Sequence, residues 1–124
     1  MKASDYIEAA TKTESLPSLI LTQRQTRLLH AAMGLETESG EIVDMLKRHL
    51  FYGYNMDRIN ALEEVGDILW YIALILDELD SSFEMVMAAN IAKLQFRYPE
   101  QFDATMAIIR DKANEREVLR AILE

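Results

Sequence analysis

Two acidic pairs, Glu38-Ser39-Gly40-Glu41 and Glu64-Val65-Gly66-Asp67, stand at a spacing that suits divalent-metal chemistry. Within each pair the carboxylates are at i and i+3. On an α-helix that separates them by roughly 60° around the axis and about one turn along it, so they share a face. If the two helices run antiparallel at an interaxial distance of about 8 to 10 Å, the four side chains converge on one small volume. Four anions that close raise one another's pKa values and push the helices apart, unless cations that prefer hard oxygen donors sit among them. Mg²⁺ or Mn²⁺ is the expected occupant. A lone Glu-x-x-Glu on a helix is usually a solvated face. Here the second pair is followed on the same side of its helix by Tyr71, Leu74 and Ile75, so the acids lead into an apolar strip rather than into water.

A further segment carries Asn90, Lys93 and Arg97 at i, i+3 and i+7, an amide and two cations on one helical side. These are the groups that hold polyphosphate oxygens, because charge-assisted hydrogen bonds to phosphate are strong and directional. Metal-binding acids and phosphate-binding donors in one short chain point to a metal–phosphate site.

The elements that must position these groups read as nearly all α. The 124 residues are half apolar, with only four Gly and two Pro, and show no alternating stretch long enough for a strand. The length fits one domain, spanning 1–124, with a core small enough that oligomerising would bury more surface. A net charge of −8 argues against a nucleic-acid partner, which would need Lys and Arg to displace counterions. There is no cysteine, hence no disulfide framework or thiolate chemistry. The start, Met1-Lys2-Ala3-Ser4-Asp5-Tyr6, has no signal-type apolar run, and the longest apolar run, Ile68 to Leu76, falls short of the about 20 residues a bilayer needs. These features predict a soluble, cytoplasmic protein without a membrane partner.

In chain order, Asp5 to Lys12 forms a short helix, which Thr13 to Leu21, containing Pro17, interrupts. Thr22 caps a long helix from Gln23 to about Leu50, with a buried stripe of Leu28, Ala32, Leu35, Ile42 and Leu46. Gly34 and Gly40 inside it each cost roughly 1 kcal/mol relative to Ala, which suggests close packing or a ligand. After the turn Phe51-Tyr52-Gly53-Tyr54-Asn55, Asp57 caps a second helix to about Leu79, with a core stripe of Leu62, Val65, Leu69, Ile72 and Leu76. Its acid-bearing side is apolar as well, which predicts a homodimer or homotetramer. Ser81-Ser82-Phe83-Glu84 reads as a capping box opening a helix to about Arg97, packed through Met87, Ile91, Leu94 and Tyr98. The tail, 103–124, reads as one broken or two short helices. The expected architecture is all-α, a bundle of about four to five helices, its four-helix core completed by oligomerisation.

The run His30-Ala31-Ala32-Met33-Gly34-Leu35, the first acidic pair continuing to Asp44, Lys47, Phe51-Tyr52-Gly53, Glu63-Glu64-Val65-Gly66-Asp67-Ile68-Leu69-Trp70-Tyr71 and the ending Asn90 to Pro99 together resemble the MazG-like nucleotide pyrophosphohydrolases of the all-α NTP pyrophosphatase superfamily. The mark of these proteins is Glu-x-x-Glu, a spacer, then Glu-x-x-Asp. The likeness covers 23–102. It implies hydrolysis of a nucleoside triphosphate, in particular a deoxynucleotide, to the monophosphate and pyrophosphate, by attack of a Mg²⁺-activated water on the α-phosphate. It implies two or more Mg²⁺ ions, with Mn²⁺ able to substitute, held by Glu38, Glu41, Glu64 and Asp67. Lys93, with Asn90 and Arg97, would hold the polyphosphate, and Lys47 is a further candidate. Many relatives carry another Glu directly before the first metal ligand. Here Thr37 stands there and Glu36 one residue earlier, so orientation of the water falls to Glu38 or Glu41. Tyr71 and Trp70 are candidates for base or sugar contact.

Two rival readings are open to test. A di-iron carboxylate bundle would need Glu-x-x-His pairs, and neither His30 nor His49 has a Glu three residues before it. A non-enzymatic helical interaction module would use the acids only as a charged surface for a basic partner.

Overall fold

The computed structural model describes residues 1–15 and 20–124. Part of the predicted interruption, including Pro17, lies outside the described residues. Among them the chain forms six helices and no strand: α1 (Ala3–Thr11), α2 (Gln23–Tyr52), α3 (Arg58–Glu78), α4 (Phe83–Arg97), α5 (Ala104–Ile108) and α6 (Lys112–Leu123). The all-α expectation holds, and α5, of five residues, accounts for the helix beyond the expected number.

Local chemistry fixes the boundaries. Thr22 Oγ1 accepts from the Gln25 amide at 3.2 Å, while Gln25 Oε1 accepts from the Thr22 amide at 2.9 Å, a reciprocal cap at the start of α2. The helix ends where Gly53 takes φ of 74°, a left-handed conformation that costs a residue with a Cβ about 1 to 2 kcal/mol. Asp57 caps α3 through the amides of Ile59 and Asn60. Ser82, not Ser81, caps α4, accepting from the Met85 amide. Glu84 therefore stands one position too early to close the predicted capping box.

α2 and α3, about 45 and 31 Å long at 1.5 Å per residue, form an antiparallel hairpin. Its open end is clasped by ion pairs from the first turns of α2 to the last turn of α3. Arg27 pairs with Asp77 at 2.6 Å and Glu78 at 2.9 Å, and Arg24 donates to the Glu78 carbonyl at 2.7 Å. α4 packs along α6, while contact between the two helix pairs is slight.

The faces differ from the sequence expectation in an informative way. On α3 the side that meets α2 is the acid-bearing one: Asn60, Ala61, Glu64, Ile68, Tyr71, Ile72 and Ile75 are all half-buried. The stripe expected as core is largely outside, with Leu62, Val65 and Leu69 each close to half exposed, and only Leu76 of that stripe is buried. On α2 the buried positions are Ala31 and Gly34, whereas Ala32 and Leu46 are exposed. On α4, Ala89 is buried and Met87 and Ile91 are exposed. Each helix is apolar on more than one side, so periodicity alone could not say which side the chain itself would use.

The consequence is a chain with far more surface than it should have. Its accessible area is 10194 Å², whereas a compact monomer of this mass exposes about 6,800 Å².

Candidate metal centre

The antiparallel hairpin brings Glu38 of α2 opposite Glu64 and Asp67 of α3, near the middle of both helices. One carboxylate oxygen from each of the three lies within 4.8 Å of the others. Glu38 and Glu64 are half-buried and Asp67 is exposed, so the cluster has a sheltered floor and one side open to water. Three hard anionic oxygens at that range are a donor set suited to Mg²⁺ or Mn²⁺.

The electrostatics carry the same signature. The Glu64 carboxyl is pushed above its ordinary value, first by loss of solvent, then by its hydrogen bond with Glu38 and the charges of Glu38 and Glu41. Asn60 acts in the opposite sense, its Nδ2 donating to Glu64 Oε1 at 3.1 Å. On the other helix, Thr37 Oγ1 donates to the Gly34 carbonyl at 2.9 Å and lies 3.3 Å from Glu38 Oε1. The position directly before Glu38 thus holds a hydroxyl rather than an acid.

Glu41 is exposed and stands outside this group of three. It lines an adjoining open groove with Met45, Arg48, Tyr54 and Asn60, toward the hairpin turn. The Glu41 charge still reaches Glu64, which places it beside the cluster rather than in it.

The expected phosphate-binding residues are dispersed. Asn90 and Lys93 stay together, Lys93 Nζ donating to Asn90 Oδ1 at 2.7 Å, but on α4, which within one chain packs on α6. Arg97 turns the other way: its Nε and Nη2 donate to the two carboxylate oxygens of Glu115 at 2.8 and 2.7 Å. Lys47 pairs with Asp44, which also accepts from Arg48. That double pairing, Lys47 first, holds the Asp44 carboxyl below its usual range. Of the aromatics, Tyr71 lays its ring against α2 at Gly34, edge-on to His30 at 5.7 Å, whereas Trp70 is 54% exposed.

Three contributors escaped the sequence reading. Asn60 stands four residues before Glu64, an i, i+4 pair that helical spacing could have flagged. Thr37 was notable in the sequence only for the acid it replaces, with no signal for the placement of its hydroxyl. Glu115, 3% exposed and gripped by both Arg97 and Arg110, lies in the tail and could be tied to α4 only by tertiary structure.

Comparison with known proteins bears directly on these helices. The profile of the MazG nucleotide pyrophosphohydrolase domain matches residues 25–102, a span that contains all but the first two residues of α2, all of α3 and α4, and all three clustered acids. The Gene 37 protein of Mycobacterium phage L5 is 32% identical over 103 residues, covering 78% of this chain and 89% of that protein. No solved structure matches the chain. Since the matched span runs through the whole acid-bearing hairpin and on through α4, the chain belongs to the MazG nucleotide pyrophosphohydrolase family.

Proposed function

We propose that this protein hydrolyses a ribo- or deoxyribonucleoside triphosphate to the monophosphate and pyrophosphate, in nucleotide-pool sanitation or in supplying monophosphate. The observation that carries the reading is the convergence of Glu38, Glu64 and Asp67 across the hairpin, where burial and the neighbouring acids raise the Glu64 carboxyl above its ordinary value. The donor set fits two or more Mg²⁺ ions, or Mn²⁺, once Glu41 joins from the groove side. Such ions, when bound, neutralise the triphosphate and polarise the α-phosphoryl group toward water. In this reading Glu38 and Glu41, three residues apart on α2, orient that water.

Lys93 and Asn90 are the donors for the polyphosphate and the leaving pyrophosphate. Arg97 serves them indirectly, fixing α4 on α6 through Glu115, and Lys47 is occupied by Asp44. Because α4 packs on α6 within one chain, assembly of a homodimer or homotetramer through the exposed apolar faces is the route by which Lys93 and Asn90 meet the acids. The excess surface supports that assembly, since a chain this size gains most by covering it. Trp70 is the aromatic left open to stack on a base, while the Tyr71 ring is engaged between helices. No helix among the described residues is long and apolar enough to cross a membrane.

The test is a panel of canonical and modified NTPs and dNTPs with Mg²⁺ or Mn²⁺, with products resolved. Monophosphate plus pyrophosphate, lost in Glu38→Gln and Asp67→Asn at unchanged helical content, is the expected result. Diphosphate plus phosphate, or no consumption of any nucleotide, would overturn the reading.

A further inference from the structure

We infer that the contact between Gly34 and Tyr71 sets the separation of α2 and α3 beside the acid cluster, making these two a matched pair of positioning residues for the divalent ion. The inference rests on the metal reading above and concerns what holds the site to size.

Gly34 stands four residues before Glu38, and Tyr71 four residues after Asp67. In an antiparallel pair both offsets run the same way, so the contact lies one helical turn from the carboxylates. A Cβ added at Gly34 would overlap Cδ1, Cε1 and Cζ of the Tyr71 ring, whereas Gly40 on the same helix and Gly66 on α3 have open space around them. Gly34 is buried and Tyr71 half-buried. An interior glycine disfavours the helix that carries it, and at Gly34 the close approach of an aromatic ring is what it permits.

The ring is flanked by two further aromatic side chains. His30, one turn before Gly34, meets it edge-on with planes at 85°, and Trp70 does the same at 4.9 Å and 79°. A displacement here has a short path to the metal ligands. The Gly34 carbonyl accepts from Thr37 Oγ1, and the same hydroxyl oxygen lies 3.3 Å from Glu38 Oε1. On α3, Tyr71 and Asp67 are successive turns of one rigid helix. Mg²⁺ demands near-octahedral oxygens at about 2.0 to 2.1 Å, so a shift of a few tenths of an ångström between helices is felt in affinity.

The experiment measures Mn²⁺ alone, without nucleotide, by the electron paramagnetic resonance signal of the free ion over the full-length protein. Gly34→Ala should weaken Mn²⁺ uptake by about tenfold or more while helical content is kept, as expected when a ligand's support is disturbed. Tyr71→Leu, which empties the space over Gly34, should also weaken it. The double variant Gly34→Ala/Tyr71→Leu should recover most of the loss, because the added methyl fills the vacated space. Tyr71→Phe, which keeps the ring and drops the hydroxyl, should bind as the unsubstituted protein does. If Gly34→Ala fails to fold, Tyr71→Leu and the double variant carry the test. Mn²⁺ affinity unchanged in Tyr71→Leu, or no recovery in the double variant, would overturn the inference while leaving the metal centre standing. An unsubstituted protein that takes up no Mn²⁺ would remove both.

Discussion

Arg97 and Glu115 meet across the α4–α6 contact as a two-pronged pair, with both carboxylate oxygens accepting from the guanidinium and Arg110 Nη2 adding a further bond at 2.5 Å. The Arg97 side chain is 14% exposed and that of Glu115 is 4% exposed, so little water competes for either. Removing the acid would strand two cations, one of them largely shielded from water, and leaving a shielded charge unpaired costs more than the intact pair contributes. Glu115→Ala is therefore expected to lower Tm by on the order of 10 °C in a domain of this size, with Glu115→Gln falling between it and the unsubstituted protein. Thermal unfolding followed by circular dichroism checks the order of the three.

The same pair sets an acid limit on stability. The bonds from Arg97 and then Arg110 hold the Glu115 carboxyl down to about 2, against an ordinary value of 4.5. A folded-state pKa below the unfolded one gives stability that is complete above the unfolded value and is lost as pH falls through the folded value. The Tm difference between the unsubstituted protein and Glu115→Gln should therefore be full at pH 7, shrink below about 4.5 and vanish near 2. A difference that persists unchanged at pH 2 would mean that the pairing is not what the substitution removed.

Divalent ions should stabilise the folded chain, since they bind a cluster that unfolding disperses. At a free concentration 100 times the dissociation constant the gain is about 2.7 kcal/mol per site. Glu38→Gln, Glu64→Gln and Asp67→Asn should each abolish the Mg²⁺-induced rise in Tm. Glu41→Gln should leave part of it, because Glu41 stands beside the group of three. Scanning fluorimetry with and without Mg²⁺, and after chelation, ranks the four.

Exposed Leu62, Val65 and Leu69 on α3 give a prediction about mass. Light scattering at micromolar protein should report at least twice the 14.3 kDa of the chain. Leu69→Lys, which sets a charge in that stripe, should lower the mass toward one chain. A monomeric mass for the unsubstituted protein would contradict assembly through these faces.

Much of this molecule was written into local patterns of the sequence. Thr22, Asp57 and Ser82 mark helix starts because a short polar side chain can bond an otherwise orphaned amide, a decision made within four residues. Gly53 marks the hairpin because a left-handed residue is needed there. The i, i+3 acids were legible for the same reason, since helical geometry alone puts each pair on one face. What the sequence could not decide was which face of each helix the chain would keep for itself. Leu62, Val65 and Leu69 look as apolar as any core, yet the hairpin closes on the side of Glu64 and Tyr71, where Gly34 leaves room for the Tyr71 ring. Likewise nothing near Arg97 announced Glu115, 18 residues away, and nothing near Glu41 announced that it would stand outside the acidic group. Those outcomes depend on packing among distant segments, where close approach, burial and charge are settled together and no single stretch carries the answer.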